Sequence, residues 1–171
     1  MANVLMIIAQ HGFRDEEFLI PKEILVNEGH GVKVASVARA AATGMLGAKV
    51  MPDFAAHEAN VDFFDAIIVV GGAGSPALAK NQDVINLVQK ANAKGKILGA
   101  ICLGPMTLAK AGLLSGKKAT VFKSRDGLDS LRDGKAIYVP EDVVQDGRLV
   151  TACGPEAAND FGRKLVEMLK E

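Results

Sequence analysis

The sequence predicts an α/β protein: one domain in three layers, α/β/α, with helices on both faces of a mostly parallel sheet. Three observations carry this. The runs Val4–Ala9, Ala66–Val70 and Ile97–Ile101 are apolar throughout instead of alternating, as strands are when helices cover both faces of a sheet. They alternate with segments whose apolar residues recur at helical spacing, the pattern of a doubly wound sheet. Eighteen glycines against six prolines suit the many tight strand-to-helix turns of such a fold.

Each element has its own signal. Val4–Ala9 is the first strand, and Gln10-His11-Gly12 reads as the turn that ends it. Asp15 to Glu28 follows as a helix with Phe18 and Leu25 on its inner face, stopped by Gly29. Val32–Ser36 is the second strand and Ala66–Val70 the third, closed by Gly71-Gly72-Ala73-Gly74. Asp83 to Lys94 is a helix that turns Val84, Leu87, Val88 and Ala91 inward and halts at Gly95. Ile97–Ile101 is the fourth buried strand, and a helix begins near Pro105, whose fixed φ suits a first helical turn. Ala119-Thr120-Val121 is a short strand. Val143–Val150 reads as a hairpin about Asp146-Gly147, and a last helix starts at about Pro155. Gly71–Lys80 and Lys123–Asp133 are expected to be loops that wall a cleft. No linker, repeat or low-complexity stretch interrupts the pattern, so residues 1–171 read as one domain.

Composition narrows the function. A chain of 171 residues, 49% hydrophobic and 23% charged, can bury roughly 70% of its unfolded surface and needs no disulfide or metal to hold a core. Lys plus Arg balance Asp plus Glu at 20 each, for zero formal charge. Nucleic acid and anionic membranes are therefore not expected partners, since both are bound through positive surface. The opening segment lacks a basic stretch before its short apolar run, and no 18 consecutive residues are apolar enough to span a bilayer. The two cysteines, Cys102 and Cys153, form no Cys-x-x-Cys pair, so neither a zinc site nor a thioredoxin-type site is expected. A cytoplasmic protein with free thiols is the expectation. No metal or cofactor is expected: no cluster of metal-ligating residues stands out, and the glycines at Gly71-Gly72-Ala73-Gly74 lack the Gly-Lys-Ser/Thr of a phosphate loop.

Chemistry concentrates where the strands end. Ligands of an open parallel sheet bind beyond the carboxyl ends of its strands, and Gly99-Ala100-Ile101-Cys102-Leu103-Gly104-Pro105 places a cysteine there. A reactive residue between a buried strand and a helix, flanked by small residues, has the setting of a nucleophile elbow. The following helix would aim free N–H groups at the sulfur and lower its pKa from about 8.5. Gly71 and Gly72 could bring further amides close, as an oxyanion hole. The alternative for Cys102 is an inert core thiol.

Four segments in this order resemble the ThiJ/PfpI superfamily, which includes the parkinsonism-associated protein deglycase. They are Phe13–Pro21, Ile67–Gly72, Ala100–Pro105 and Asp146–Pro155, and the resemblance spans nearly the whole chain. It implies a flavodoxin-like fold related to class I glutamine amidotransferases. It also implies that Cys102 is the elbow cysteine, that Glu17 is a protonated carboxyl hydrogen-bonding it, and that Gly71 and Gly72 line the pocket. Family members are usually dimers or larger, so a homodimer or larger homo-oligomer is expected.

The departures matter as much. Protease-like members carry histidine directly after the cysteine, where this chain has Leu103, and Phe122 stands near the position where other members keep a histidine. Leucine takes no proton, so the adjacent Cys-His dyad is missing and a PfpI-type peptidase is disfavoured. His11, at the end of the first strand, is the one remaining candidate base; His30 and His57 read as surface residues. Arg14 reads as a solvated charge or as a group facing a substrate carboxylate. Cys153 reads as a small packed residue or a resolving thiol. Two functions stay open: glyoxalase or deglycase chemistry on small reactive carbonyls, and a redox-sensing cysteine in oxidative-stress protection.

Overall fold

The computed structural model describes residues 1–171. In chain order the elements are β1 (Asn3–Ile7), β2 (His11–Phe13), α1 (Asp15–Asn27), β3 (Gly31–Ser36), β4 (Ala42–Gly44), β5 (Lys49–Val50), β6 (Phe54–Ala55) and β7 (Ala66–Val69). They continue with α2 (Gln82–Ala93), β8 (Ile97–Ile101), α3 (Pro105–Lys110), β9 (Lys118–Ala119), α4 (Arg125–Asp133), β10 (Ile137–Tyr138), β11 (Val143–Asp146), β12 (Leu149–Ala152) and α5 (Ala158–Leu169).

Seven strands form one sheet in the order β11-β12-β8-β7-β1-β3-β6. Every neighbouring pair is parallel except the β11–β12 hairpin. β1, β7 and β8 lie at its centre in a register that aligns Met6, Ile68 and Gly99. Apart from the first residue of β1, all three are buried along their length, which is why they are apolar without alternation. α1 and α5 pack on each other over one face, and α2 and α3 lie against β7 and β8 from the other. This is the three-layer sandwich expected from the sequence. No helix of the structure is long and apolar enough to cross a membrane.

α1 runs through Pro21 and buries Glu17, Phe18, Pro21 and Leu25. Proline has no N–H to give to the carbonyl four residues earlier, so the helix loses its bond to Glu17 O and is held by packing instead. Phe18 and Phe13 pack their rings edge to face, 5.8 Å between centroids, and the Lys22 ammonium lies over the Phe18 ring, 5.4 Å from its centroid.

Several elements depart from the sequence pattern. The residues read as a turn after β1 form β2, which pairs with β4 in a small three-stranded sheet completed by β5. β9 pairs only with β10, outside the main sheet. Lys123–Asp133 is no loop: Ser124 caps α4 by accepting the Gly127 N–H at 3.1 Å. α4 is short and largely polar, with Gly127 and Leu131 its buried residues, so hydrophobic periodicity marks it faintly. Ser75–Lys80, also expected as loop, winds into a 3₁₀ turn.

Candidate active site

Cys102 is the first residue beyond β8, and its φ is 62°. A residue with a Cβ enters the left-handed region only where its surroundings hold it there. They do so on both sides. The Cys102 N–H donates to Ala152 O at the end of β12, and the Cys102 carbonyl accepts the Phe122 N–H, each at 2.8 Å. Gly104 N–H closes the turn on Ile101 O at 2.8 Å and leads into α3. The elbow expected from Gly99–Pro105 is present.

α1 supplies the partner. Arg14 N–H donates to Gly71 O at 2.9 Å, tying the start of α1 to the end of β7 and bringing Glu17 over the elbow. A Cβ on Gly71 would lie 2.5 Å from Glu17 Oε1 and 2.6 Å from Cys102 Cβ. Only a residue without a side chain lets the carboxyl and the thiol face each other across that position. Gly72 has φ 117°, and a Cβ there would strike Arg14 N and Gly12 O.

Electrostatics follow from this enclosure. Glu17 is fully buried, and burial pushes its carboxyl up to about 7, the direction expected of a carboxyl that must hold a proton. The Cys102 thiol, the Arg14 charge and the Gly71 N–H draw it partly back down, yet neither oxygen closes a hydrogen bond of full geometry. A buried carboxyl left without a partner is rare in folded proteins and marks a working group. Cys102 corrects an expectation. Its pKa is not lowered: burial first, then the nearby Glu17 charge, push the thiol up to about 12. The Gly72 and Leu103 N–H groups oppose this, but α3 is only six residues long and its end does not outweigh desolvation. The two groups titrate as a pair, and Glu17 is the member whose proton moves near neutrality.

The other expected residues fall as follows. Gly71 and Gly72 line the pair, with Gly72 as an amide donor to the sulfur. Leu103 contributes its backbone N–H, a role its side chain gave no hint of. His11 lies on β2 with its side chain exposed, and no hydrogen bond joins its imidazole to Cys102 or Glu17. His30 accepts the Ala2 N–H at 3.0 Å, away from the site. Cys153 is half-buried and donates to Asp142 Oδ1 at 3.6 Å, so its thiol turns to β11. Phe122, 44% exposed, sits beside the elbow through its bond to Cys102 O.

One contributor was missed. Asp15, buried at 6% exposure, accepts the N–H groups of Leu46 and Ala48 at 2.9 and 2.8 Å and pins the β4–β5 hairpin to α1. The hairpin tip returns the Met45 sulfur to the Ala73 N–H at 3.3 Å. Size does not single out the site: a cavity of about 470 Å³ lies between α3 and α4 around Lys110, Asp126 and Asp133.

A parallel α/β sandwich with a cysteine on a left-handed elbow, facing a buried carboxyl across paired glycines, defines a class of cysteine-centred α/β proteins. Residues 2–168 match the DJ-1/PfpI family, and the chain belongs to it. A deglycase of Pyrococcus abyssi is 32% identical, over 97% of this chain and 99% of its own. A glutathione-independent glyoxalase of Caenorhabditis elegans is 27% identical, over 98% and 89%. Among solved structures, a ThiJ/PfpI domain protein from Brachyspira murdochii superposes with a TM-score of 0.95 at 30% identity, covering 98% of this chain and 96% of that one.

Proposed function

We propose that this chain is a cofactor-free enzyme of glyoxalase or deglycase type, in which Cys102 attacks small reactive carbonyls and Glu17 moves the protons. The observation that carries this is the unpartnered Glu17 carboxyl, buried against the elbow thiol with a pKa near the working pH. A base is most effective when its pKa lies close to ambient pH. A 2-oxoaldehyde such as methylglyoxal illustrates the balance. Cys102 Sγ bonds to the aldehyde carbon while its proton passes to Glu17, and the carbonyl oxygen takes the negative charge beside the Gly72 and Leu103 N–H groups. Glu17 returns the proton to that oxygen, giving a hemithioacetal. It then carries the C1 proton to C2 while the C1 hydroxyl proton passes to the C2 oxygen, which leaves a 2-hydroxy thioester. Water cleaves the thioester, releasing lactate and the free thiol.

The test is lactate formation from methylglyoxal by the purified protein. Cys102→Ser should lose at least a hundredfold in kcat/KM; undiminished turnover would remove the proposal.

A second reading is favoured by the apolar Leu103 and Phe122, which place no imidazole at the sulfur. Hydroperoxide would oxidise Cys102 in steps to a sulfinate, held by the same N–H groups and by protonated Glu17. Mild peroxide should then add two oxygens at Cys102 before any of the six methionines; methionine oxidation first, read by mass spectrometry, counts against it. The missing histidine speaks against peptidase action. Two unpaired thiols support a reducing compartment, and we place the protein in the cytoplasm.

A further inference from the structure

Arg14 holds a position that the proton chemistry does not use. Its backbone is fixed at the glycine shelf by the N–H to Gly71 O bond at 2.9 Å and by contact with Gly72, whose missing Cβ leaves room for Arg14 N. Its side chain is 30% exposed, and its charge is felt by both Glu17 and Cys102. Arg14 therefore stands at the mouth of the site with access to solvent.

Glu16 sets the orientation of the guanidinium. Arg14 Nε donates to Glu16 Oε1 at 2.9 Å and Nη2 to Oε2 at 3.0 Å, a fork on one edge of the planar group. A guanidinium has five N–H donors, so this fork leaves three. They are both hydrogens of Nη1 and the outer one of Nη2; the outer Nη2 hydrogen and the Nη1 hydrogen beside it form the end-on edge. No other acceptor meets that edge. It matches a second carboxylate in the bidentate geometry that arginine favours, and Glu16 has already removed the freedom that binding would otherwise have to restrict. Because Glu16 offsets much of the net charge, recognition depends on directed donors more than on a long-range field.

We infer that Arg14 is a specificity residue that receives the carboxylate of an anionic substrate, and that the favoured substrates are 2-oxoaldehydes bearing a carboxylate at the end remote from the aldehyde. This rests on the carbonyl chemistry proposed for Cys102. The reaction is unchanged: thiol addition, proton transfer from C1 to C2, and hydrolysis, with 4,5-dioxopentanoate and water giving 2-hydroxyglutarate.

Two measurements test the inference separately from the activity it rests on. The first is alkylation of Cys102 by iodoacetate and by its neutral isostere iodoacetamide, which needs no turnover. The iodoacetate-to-iodoacetamide rate ratio should fall about tenfold in Arg14→Gln and by less in Arg14→Lys, with the fold checked by circular dichroism. The second is the ratio of kcat/KM for 4,5-dioxopentanoate over methylglyoxal, which should fall by a similar factor in Arg14→Gln. An alkylation ratio unchanged by Arg14→Gln overturns the role of Arg14, whatever the turnover. If neither aldehyde is consumed while the alkylation ratio still falls, carboxylate recognition by Arg14 stands, but the 2-oxoaldehyde assignment is overturned together with the proposed enzyme function. If methylglyoxal is consumed but the carboxylate brings no preference, the substrate class is wrong and the enzyme function survives.

Discussion

At Glu17 a single carboxyl sets both stability and reactivity. Its folded pKa of about 7 stands above the unfolded value of 4.5. Below about 4.5 it is protonated in both states and contributes nothing. As pH rises from 4.5 to 7 the unfolded chain ionises it first, so stability falls, and the full loss is present above about 7. The difference is on the order of 3 kcal/mol. Glu17→Gln should therefore raise the melting temperature by several degrees at pH 8 and leave it nearly unchanged at pH 4, measured by thermal denaturation. The same carboxylate is the proposed base, so methylglyoxal turnover should rise with pH through about 7 in the parent protein. That inflection should vanish in the variant, which trades activity for stability. The elbow at Cys102 was legible in the local sequence and Glu17 only through the family resemblance, but the direction of the thiol pKa was not. The pattern Ile101-Cys102-Leu103-Gly104-Pro105 announces a turn before a helix. How deeply the sulfur is buried, and which charge faces it, depends on Glu17 in α1, 85 residues earlier in the chain.

At the scale of elements, the link between α1 and the β4–β5 hairpin decides the shape of the site mouth. Asp15→Ala would strand the Leu46 and Ala48 N–H groups, at a cost of about 2 kcal/mol. Hydrogen exchange should show residues 42–50 losing protection ahead of the central sheet, while a hairpin equally protected in both proteins would show that Asp15 is dispensable. The main strands and α1, α2 and α5 were legible because each carries a buried apolar run or stripe. β4, β5, β6 and β10 were not, and β9 was read only in part, as Ala119–Val121. Each has only two or three residues, too few for a period, and their pairing depends on partners distant in sequence. α4 escaped for a different reason: Leu131 and Gly127 alone mark its inner side.

At the scale of the whole molecule, Met45 and Leu46 at the hairpin tip are 44% and 64% exposed, and Leu19, one helical turn beyond Asp15, is 46% exposed. We propose that this apolar surface meets a second copy of the chain. The parent should then sediment as a dimer at micromolar concentration and Leu46→Glu as a monomer; a monomeric parent, or identical sedimentation of the two, overturns this proposal. The sequence by itself determined the sandwich, its strand cores and the elbow, because hydrophobic period and turn residues are local properties. Only the tertiary structure decided that Glu17 lies unpartnered on the thiol, that Leu103 serves through its amide, and that Arg14 keeps a free edge. Those facts depend on distances between segments remote in the chain, which no local pattern encodes.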